Sequence, residues 1–228
     1  MIGIIGAMEI EVLPLMEMME NSVEKSISGI KYVSGEISGK RVVCAVCGVG
    51  KVFAAVCAQT MILEYSPEVI VNTGVAGTLT DELHIGEIAL SDSLVQHDMD
   101  ISELGYEPGY VCDLGRIYIP ADSRAVSVMA DCIEREGIRY KRGVIASGDQ
   151  FIGNGERKNY IKNTFSAVAC EMEGAGIAQV CFMGGVPFCV IRAISDEANG
   201  AAAADYPAFA KKAAEKSVKI TVDFIKEY

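Results

Sequence analysis

Short apolar runs recur along the chain, each stopping at a glycine-bearing or polar stretch and followed by a segment of helical period. Residues 2–5 lead into Gly6-Ala7-Met8-Glu9-Ile10-Glu11, residues 42–46 into Gly48-Val49-Gly50-Lys51, and residues 69–71 into Asn72-Thr73-Gly74-Val75-Ala76-Gly77. Further on, residues 143–146 precede Ser147-Gly148-Asp149-Gln150-Phe151, residues 167–170 precede Glu171-Met172-Glu173, and residues 188–194 precede Ser195-Asp196. Strands that are apolar on both faces and alternate with helices predict a sheet covered by helices on each side. The fold class is therefore α/β, three layers with a largely parallel, mixed central sheet. Helices are expected near residues 9–20, 51–64, 123–136, 155–163, 173–184 and 207–226, and a hairpin pair within 29–46.

Composition narrows this further. A chain of 228 residues, half of them hydrophobic, can bury roughly 70% of the surface its unfolded form exposes. No linker or low-complexity run interrupts it, so one domain spanning 1–228 is expected. The net charge of −11 comes without any basic cluster of the kind that neutralises a phosphate backbone, which argues against nucleic acid. The apolar start is shorter than a signal-peptide core and no run reaches the length of a membrane span, so a cytosolic protein is expected. Cys44, Cys47, Cys57, Cys170, Cys181 and Cys189 sit inside apolar segments and read as buried reduced thiols. Cys44 and Cys47 form a C-x-x-C, but an odd offset in an extended segment points the two to opposite faces. His84 and His97 form no ligand-spaced pair, and no metal or organic cofactor is implied.

Ligands of open parallel sheets bind beyond the carboxyl ends of the strands. There Glu11, Glu171, Glu173 and Asp196 would share one rim with Arg192, which points to an enzyme. Each group has a plainer reading beside this one. Glu9 and Glu11 open a helix, where its dipole favours acids; the apolar neighbours Met8 and Ile10 would desolvate such a carboxylate and make it usable as a base. Glu171 and Glu173, if extended, point to opposite sides, one free to bind a ligand and the other to prop the structure. Arg192 lies in an apolar strand and needs a carboxylate partner, with Glu173 the first choice. Ser195-Asp196 could be a helix N-cap. Gly48-Val49-Gly50-Lys51 is not a phosphate loop, since Val52 stands where Ser or Thr is required, and the third glycine of a dinucleotide fingerprint would fall at Phe53.

Taken together, IGIIGAMEIEV, GVGKVFAA, NTGVAGTL, QHDMDISELGYEPG, SGDQFI, CEMEGAGIAQVC and VIRAISDEA resemble the 5′-methylthioadenosine/S-adenosylhomocysteine nucleosidases of the purine nucleoside phosphorylase type, over nearly the whole chain. The resemblance implies that Glu11 activates the attacking water and that Asp196, backed by Ser195, protonates adenine. It also implies that Glu173, helped by Met172 and oriented by Arg192, holds the ribose hydroxyls. Phe151 would stack on the base and the backbone of Ile152 would read its amine edge. Met8, Val49, Tyr206 and Phe209 would wall the ribose and alkylthio pocket, joined by Ile101 and Leu104 from the partner subunit of a homodimer. Where many members carry serine, this chain has Val75. Two alternatives stand beside hydrolysis: a phosphorylase of the same fold, which needs arginines to hold phosphate, and a non-catalytic adenine-nucleoside binding protein, which predicts loss of one of the two acids.

Overall fold

The computed structural model describes residues 1–199 and 202–228, apart from the side chains of residues 203–205, 207 and 208. Ten strands, β1 (Ile2–Gly6), β2 (Glu20–Ile27), β3 (Ile30–Ile37), β4 (Lys40–Val46), β5 (Val69–Thr78), β6 (Ile88–Gln96), β7 (Ile119–Pro120), β8 (Tyr140–Ser147), β9 (Ala167–Glu171) and β10 (Phe188–Asp196), form one sheet. Six helices cover it: α1 (Glu9–Glu17), α2 (Lys51–Tyr65), α3 (Ser123–Arg135), α4 (Gly155–Phe165), α5 (Gly174–Gly184) and α6 (Ala202–Glu227).

Side-chain alternation explains why the central runs carry so few polar residues. In β1 and β5, Ile4 and Val71 enter the core beneath α1, α3 and α6 with Leu15, Val126, Met129 and Phe224. Ile5 and Ile70 enter the opposite core with Ala54, Cys57, Ala175 and Ile177 of α2 and α5. Both faces are thus dry, and every residue of β1, β5, β9 and β10 is buried. At roughly 25 cal/mol per Å² of apolar surface, burial on two faces supplies the main driving force for the layered arrangement. Cys44 and Cys47 fall into different cores, as their odd offset requires.

The parallel pairings run β4–β1–β5–β10 at the centre and β6–β8–β9 beside it. Antiparallel pairings join β2–β3–β4 at one edge, β6 to β7, and β10 to β6. One more antiparallel pairing, Gly77 opposite Cys170 and Thr78 opposite Ala169, brings β9 back onto β5. Strands β5, β10, β6, β8 and β9 therefore close on themselves, with β5 belonging both to this closed part and to the open sheet.

Several expectations change here. Residues 72–77 are not a loop: β5 runs on through them to Thr78. Their polar groups look like turn residues but are satisfied internally. The Asn72 amide donates to the Ile5 carbonyl at 2.9 Å, and Thr73 Oγ1 lies 2.6 Å from Ser217 Oγ of α6. Strand β2 carries almost wholly exposed residues, so it shows no apolar period and exists because β3 pairs with it. Helix α1 stops at Glu17 and α6 starts at Ala202. No helix among the described residues is long and apolar enough to cross a membrane.

Candidate active site

The carboxyl ends of the strands converge on a cavity of about 250 Å³. Ala7, Met8 and Glu11 reach it from the end of β1 and the start of α1, and Val49 from the turn after β4. Val75, Ala76 and Gly77 come from β5, Phe151 from the loop after β8, and Glu171, Met172 and Glu173 from the end of β9. Ser195 and Asp196 end β10, and Tyr206 closes the side facing α6. A recess of about 30 Å³ continues past Phe151 to Ile152 and Gln150, with Asp196 bordering both spaces.

Glu11 is 1% exposed. Its carboxylate accepts hydrogen bonds from the N–H groups of Ala7 (2.7 Å) and Met8 (3.0 Å) through one oxygen and from Val75 N–H (3.1 Å) through the other. The bond to Met8 is the return half of a helix-capping arrangement, so the helix-start reading and the site reading rest on the same side chain. Burial pushes its pKa up, against the pull of the Arg192 charge and the three N–H donors. Glu9, two residues earlier, is exposed. Ile10 is 39% exposed, so the strand ends around Glu11 rather than its helix neighbours keep water from it.

The two acids after β9 divide as their opposite directions demand. Glu171 turns inward and is saturated: Ser147 and Arg192 both donate to it at short range, with Glu173 N–H at 3.1 Å and Gly174 N–H at 2.7 Å. Glu173 faces the cavity, accepts from Gly50 N–H at 2.9 Å, and has its second oxygen 3.6 Å from Arg192. Arg192 is 0% exposed. Its closer partner is thus Glu171, not the expected Glu173, and it also donates to Asn72. The reason is geometric: the inward-pointing acid lies on the neighbouring side of the closed sheet, where Arg192 is. Burial and the nearby Glu171 charge, opposed by Arg192 and Gly50 N–H, push Glu173 up to about 7.

Asp196 is 3% exposed and ends β10, so it is no helix N-cap. One oxygen accepts from Ala198 N–H at 2.9 Å and the other from the Ser195 hydroxyl at 2.9 Å. That hydroxyl also lies 3.3 Å from the Ala76 carbonyl. Tyr206 sets its hydroxyl 3.0 Å from Met8 Sδ and its ring edge-on to Phe151 at 5.7 Å. Burial, together with the charges of Glu11, Glu173 and Asp196, raises its phenol pKa.

Of the residues singled out in the sequence, Met8, Glu11, Val49, Phe151, Glu171, Met172, Glu173, Ser195, Asp196 and Tyr206 meet in the cavity, and Ile152 borders its recess. Arg192 stands behind the wall. Phe209 lies beside a neighbouring hollow with Ile85, Gly86 and Lys216, carried about 4.5 Å along the axis of α6 from Tyr206. Ile101 and Leu104 are on and next to the short helix Ser102–Leu104, away from the cavity, with Leu104 73% exposed. Sequence reading missed Asn72, Ser147 and the Gly50 N–H. Ser147, Asn72 and Gly50 lie in the SGDQFI, NTGVAGTL and GVGKVFAA blocks, but which carboxylate or arginine each one meets shows only in the folded chain.

The pattern of the phosphorylase superfamily matches residues 1–226. A 5′-methylthioadenosine/S-adenosylhomocysteine nucleosidase of Shewanella halifaxensis is 41% identical over 228 residues, covering 99% of both chains. The chain belongs to this nucleosidase family. Among solved structures, the Neisseria meningitidis nucleosidase in complex with methylthio-immucillin-A superposes with a TM-score of 0.96 at 35% identity, covering 100% of this chain and 99% of that one. A futalosine hydrolase of Helicobacter pylori gives a TM-score of 0.96 at 35% identity, covering 100% and 97%. The nucleosidase is a single-domain α/β protein with a mixed sheet and, among the described residues, six α-helices, and it is an N-glycosyl hydrolase.

Gly74 of this nucleosidase has no room for a side chain. A Cβ on Gly74 would sit 2.2 Å from Arg192 Nη1 and 2.6 Å from Glu11 Oε1. Gly74→Ala is therefore expected to displace both charged groups, lowering stability by about 1–3 kcal/mol and kcat/KM by at least about tenfold. Thermal melting with steady-state kinetics checks this; native values for both would contradict the packing.

Proposed function

We propose that the chain hydrolyses the N-glycosidic bond of 5′-methylthioadenosine and S-adenosylhomocysteine, with Glu11 as base and Asp196 as acid. The observation that carries this is the company of the two acids. Glu11, held by three backbone N–H groups, and Asp196 line one cavity in which, among the described residues, no Lys or Arg side chain takes part. A phosphate dianion would need such a cation; water needs only a base.

In this reading the bond from C1′ to N9 breaks with its electron pair passing to adenine, while Asp196 delivers a proton to N7. Water adds to C1′ as positive charge grows on the sugar, and Glu11 takes the proton that water gives up. A base with a raised pKa accepts that proton more readily than an ordinary carboxylate. Glu173, oriented by Arg192 and accompanied by Met172, binds the ribose hydroxyls, and its ionised form stabilises the oxocarbenium-like centre. Phe151 stacks on adenine and the Ile152 backbone reads the amine edge. Met8, Val49 and Tyr206 wall the 5′ side. This reading calls on neither a metal nor an organic cofactor, and buried thiols accord with a cytosolic setting.

Adenine should be released from 5′-methylthioadenosine at the same rate with and without phosphate, as followed by chromatography. Release only with phosphate would overturn hydrolysis in favour of phosphorolysis. The same assay with 5′-deoxyadenosine and aminodeoxyfutalosine ranks the 5′ substituents.

The same proposal includes a homodimer. Val52, Phe53 and Val56 leave an apolar stripe exposed on α2, near Val49 at the cavity mouth. A second copy would cover it and bring Ile101 and Leu104 to the 5′ end of the pocket. Light scattering should give a dimer for the native chain and a monomer of reduced activity for Val52→Asp; an active native monomer would contradict the shared pocket.

A further inference from the structure

Three polar residues outside the cavity join the two loops that flank it. Lys51, at the start of α2, directs its ammonium to Asp98 at 2.5 Å and to Gln96 Oε1 at 2.9 Å. The second oxygen of Asp98 accepts from Asp149 N–H at 2.9 Å, and Asp149 Oδ1 accepts from Lys51 N–H at 2.8 Å. The loop is closed: α2 start to the end of β6, to the loop after β8, and back. None of the three residues lines the cavity, and the Lys51 and Asp98 side chains are only 15% and 17% exposed.

What this ring holds on either side is the site. Gly50, immediately before Lys51, donates its N–H to Glu173, in a left-handed conformation (φ 104°) that glycine alone adopts without strain. Its Cα faces Asp149, whose carboxylate would lie 3.1 Å from any Cβ there. Two residues past Asp149 is Phe151. A Cβ on Gly176 would be 2.9 Å from the Lys51 carbonyl, so α5, which follows directly on Glu173, rests on the same turn. The partly dry ion pair is worth more than a surface pair, and its loss leaves a half-buried charge.

We infer that Lys51, Asp98 and Asp149 are positioning residues that set the Gly50 N–H against Glu173 and the Phe151 ring beside it in one rigid unit. The ribose-binding acid and the base-stacking aromatic thereby keep a fixed separation, although they come from loops far apart in sequence. This inference rests on the nucleosidase reading for its kinetic consequence, but its geometry can be tested without turnover.

The groups facing Glu173 are Glu171 from β9, Arg192 from β10, Glu11 from α1, Tyr206 from α6, Cys47 after β4, and the Gly50 N–H. Of these, only the Gly50 N–H depends on the ring. Losing it removes a bond that favours the ionised form, so Glu173 should titrate higher. Asp98 itself stays ionised: burial would raise its pKa, yet Lys51 and Asp149 N–H more than offset this and hold it below the ordinary value.

The test uses full-length Asp98→Asn, Lys51→Met and Asp149→Ala, with Lys25→Met, which breaks the exposed pair to Glu64, as a control. Carbon-13 NMR of glutamate-labelled protein should show Glu173 titrating above its native position in the three ring variants and unchanged in the control. The acid limb of kcat/KM for 5′-methylthioadenosine should move up with it, and kcat/KM should fall by about tenfold or more. A Glu173 titration that coincides with the native one in all three ring variants overturns the inference, whatever the loss of rate. Asp149→Ala spares the Lys51–Asp98 pair, so it reports even if the other two fold poorly. A native chain that releases no adenine would defeat the proposed function and leave the NMR result to decide the positioning role.

Discussion

Asp196→Asn lowers adenine release from 5′-methylthioadenosine by about 10²- to 10⁴-fold, the contribution of one positioned proton donor, while an adenosine analogue still binds. The substitution keeps the site's shape. Its amide oxygen can still accept from Ala198 N–H, as the carboxylate does at 2.9 Å. The amide nitrogen would face the Ser195 hydroxyl, whose own proton can turn to the Ala76 carbonyl 3.3 Å away. Ser195 thus suits either a charged or a neutral partner, donating to a carboxylate and accepting from an acid or an amide. What the variant lacks is a proton acidic enough to transfer to the leaving base. Steady-state kinetics beside calorimetric binding of a non-hydrolysable analogue separates the two effects. Native turnover would refute Asp196 as the acid, and loss of binding together with activity would point to a collapsed site instead.

Arg192→Met destabilises the fold by about 3–5 kcal/mol, the cost of leaving buried charge unpaired, which for a chain of this size corresponds to a Tm fall of roughly 10 °C. Arg192 is the cation set between Glu171 and Glu173. Methionine fills much of its volume, so the loss reports charge rather than a cavity. The effect should also depend on pH with a definite sign. Glu173 already titrates above its ordinary value, to about 7, and without Arg192 it is raised further. A carboxylate whose folded pKa exceeds its unfolded one contributes stability that is present below the unfolded pKa and lost as pH rises through the folded pKa. The deficit relative to the native chain should therefore be larger at pH 8 than at pH 5 by thermal melting. A deficit that does not change with pH would mean that Arg192 acts by packing alone.

Much of the architecture was legible because two-sided burial leaves a plain trace. Residues 2–5 and 42–46 carry no polar side chain and 188–194 is broken only by Arg192, and each is a buried strand whose neighbours lie in register, as with Ile4 between Cys44 and Val71. Five of the six helices start within one residue of where the pattern puts them. Strands β2, β6 and β7 and the second half of β5 were missed, and for β2 and β5 the reason is that their stability is not local. β2 has exposed side chains and forms on the backbone bonds that β3 offers. The second half of β5 reads as a turn, since Asn72, Thr73, Gly74 and Gly77 are turn formers in isolation. In the folded chain its glycines instead admit Arg192, Glu11 and Asp196 close to the backbone.

The same division holds within the site. From the sequence alone came the chain order of the acids and, β5 apart, the places where the recognised strands end, because local patterning decides which residues sit at a strand's carboxyl end. Only the folded sheet decided how those acids divide their work. β9 closing on β5 turns Glu171 inward to Arg192 and leaves Glu173 toward the cavity. Three N–H groups from two separate segments gather around Glu11. Partners 21 to 123 residues apart are chosen by which backbones the layers press together, and burial then decides how far each carboxylate's proton affinity moves.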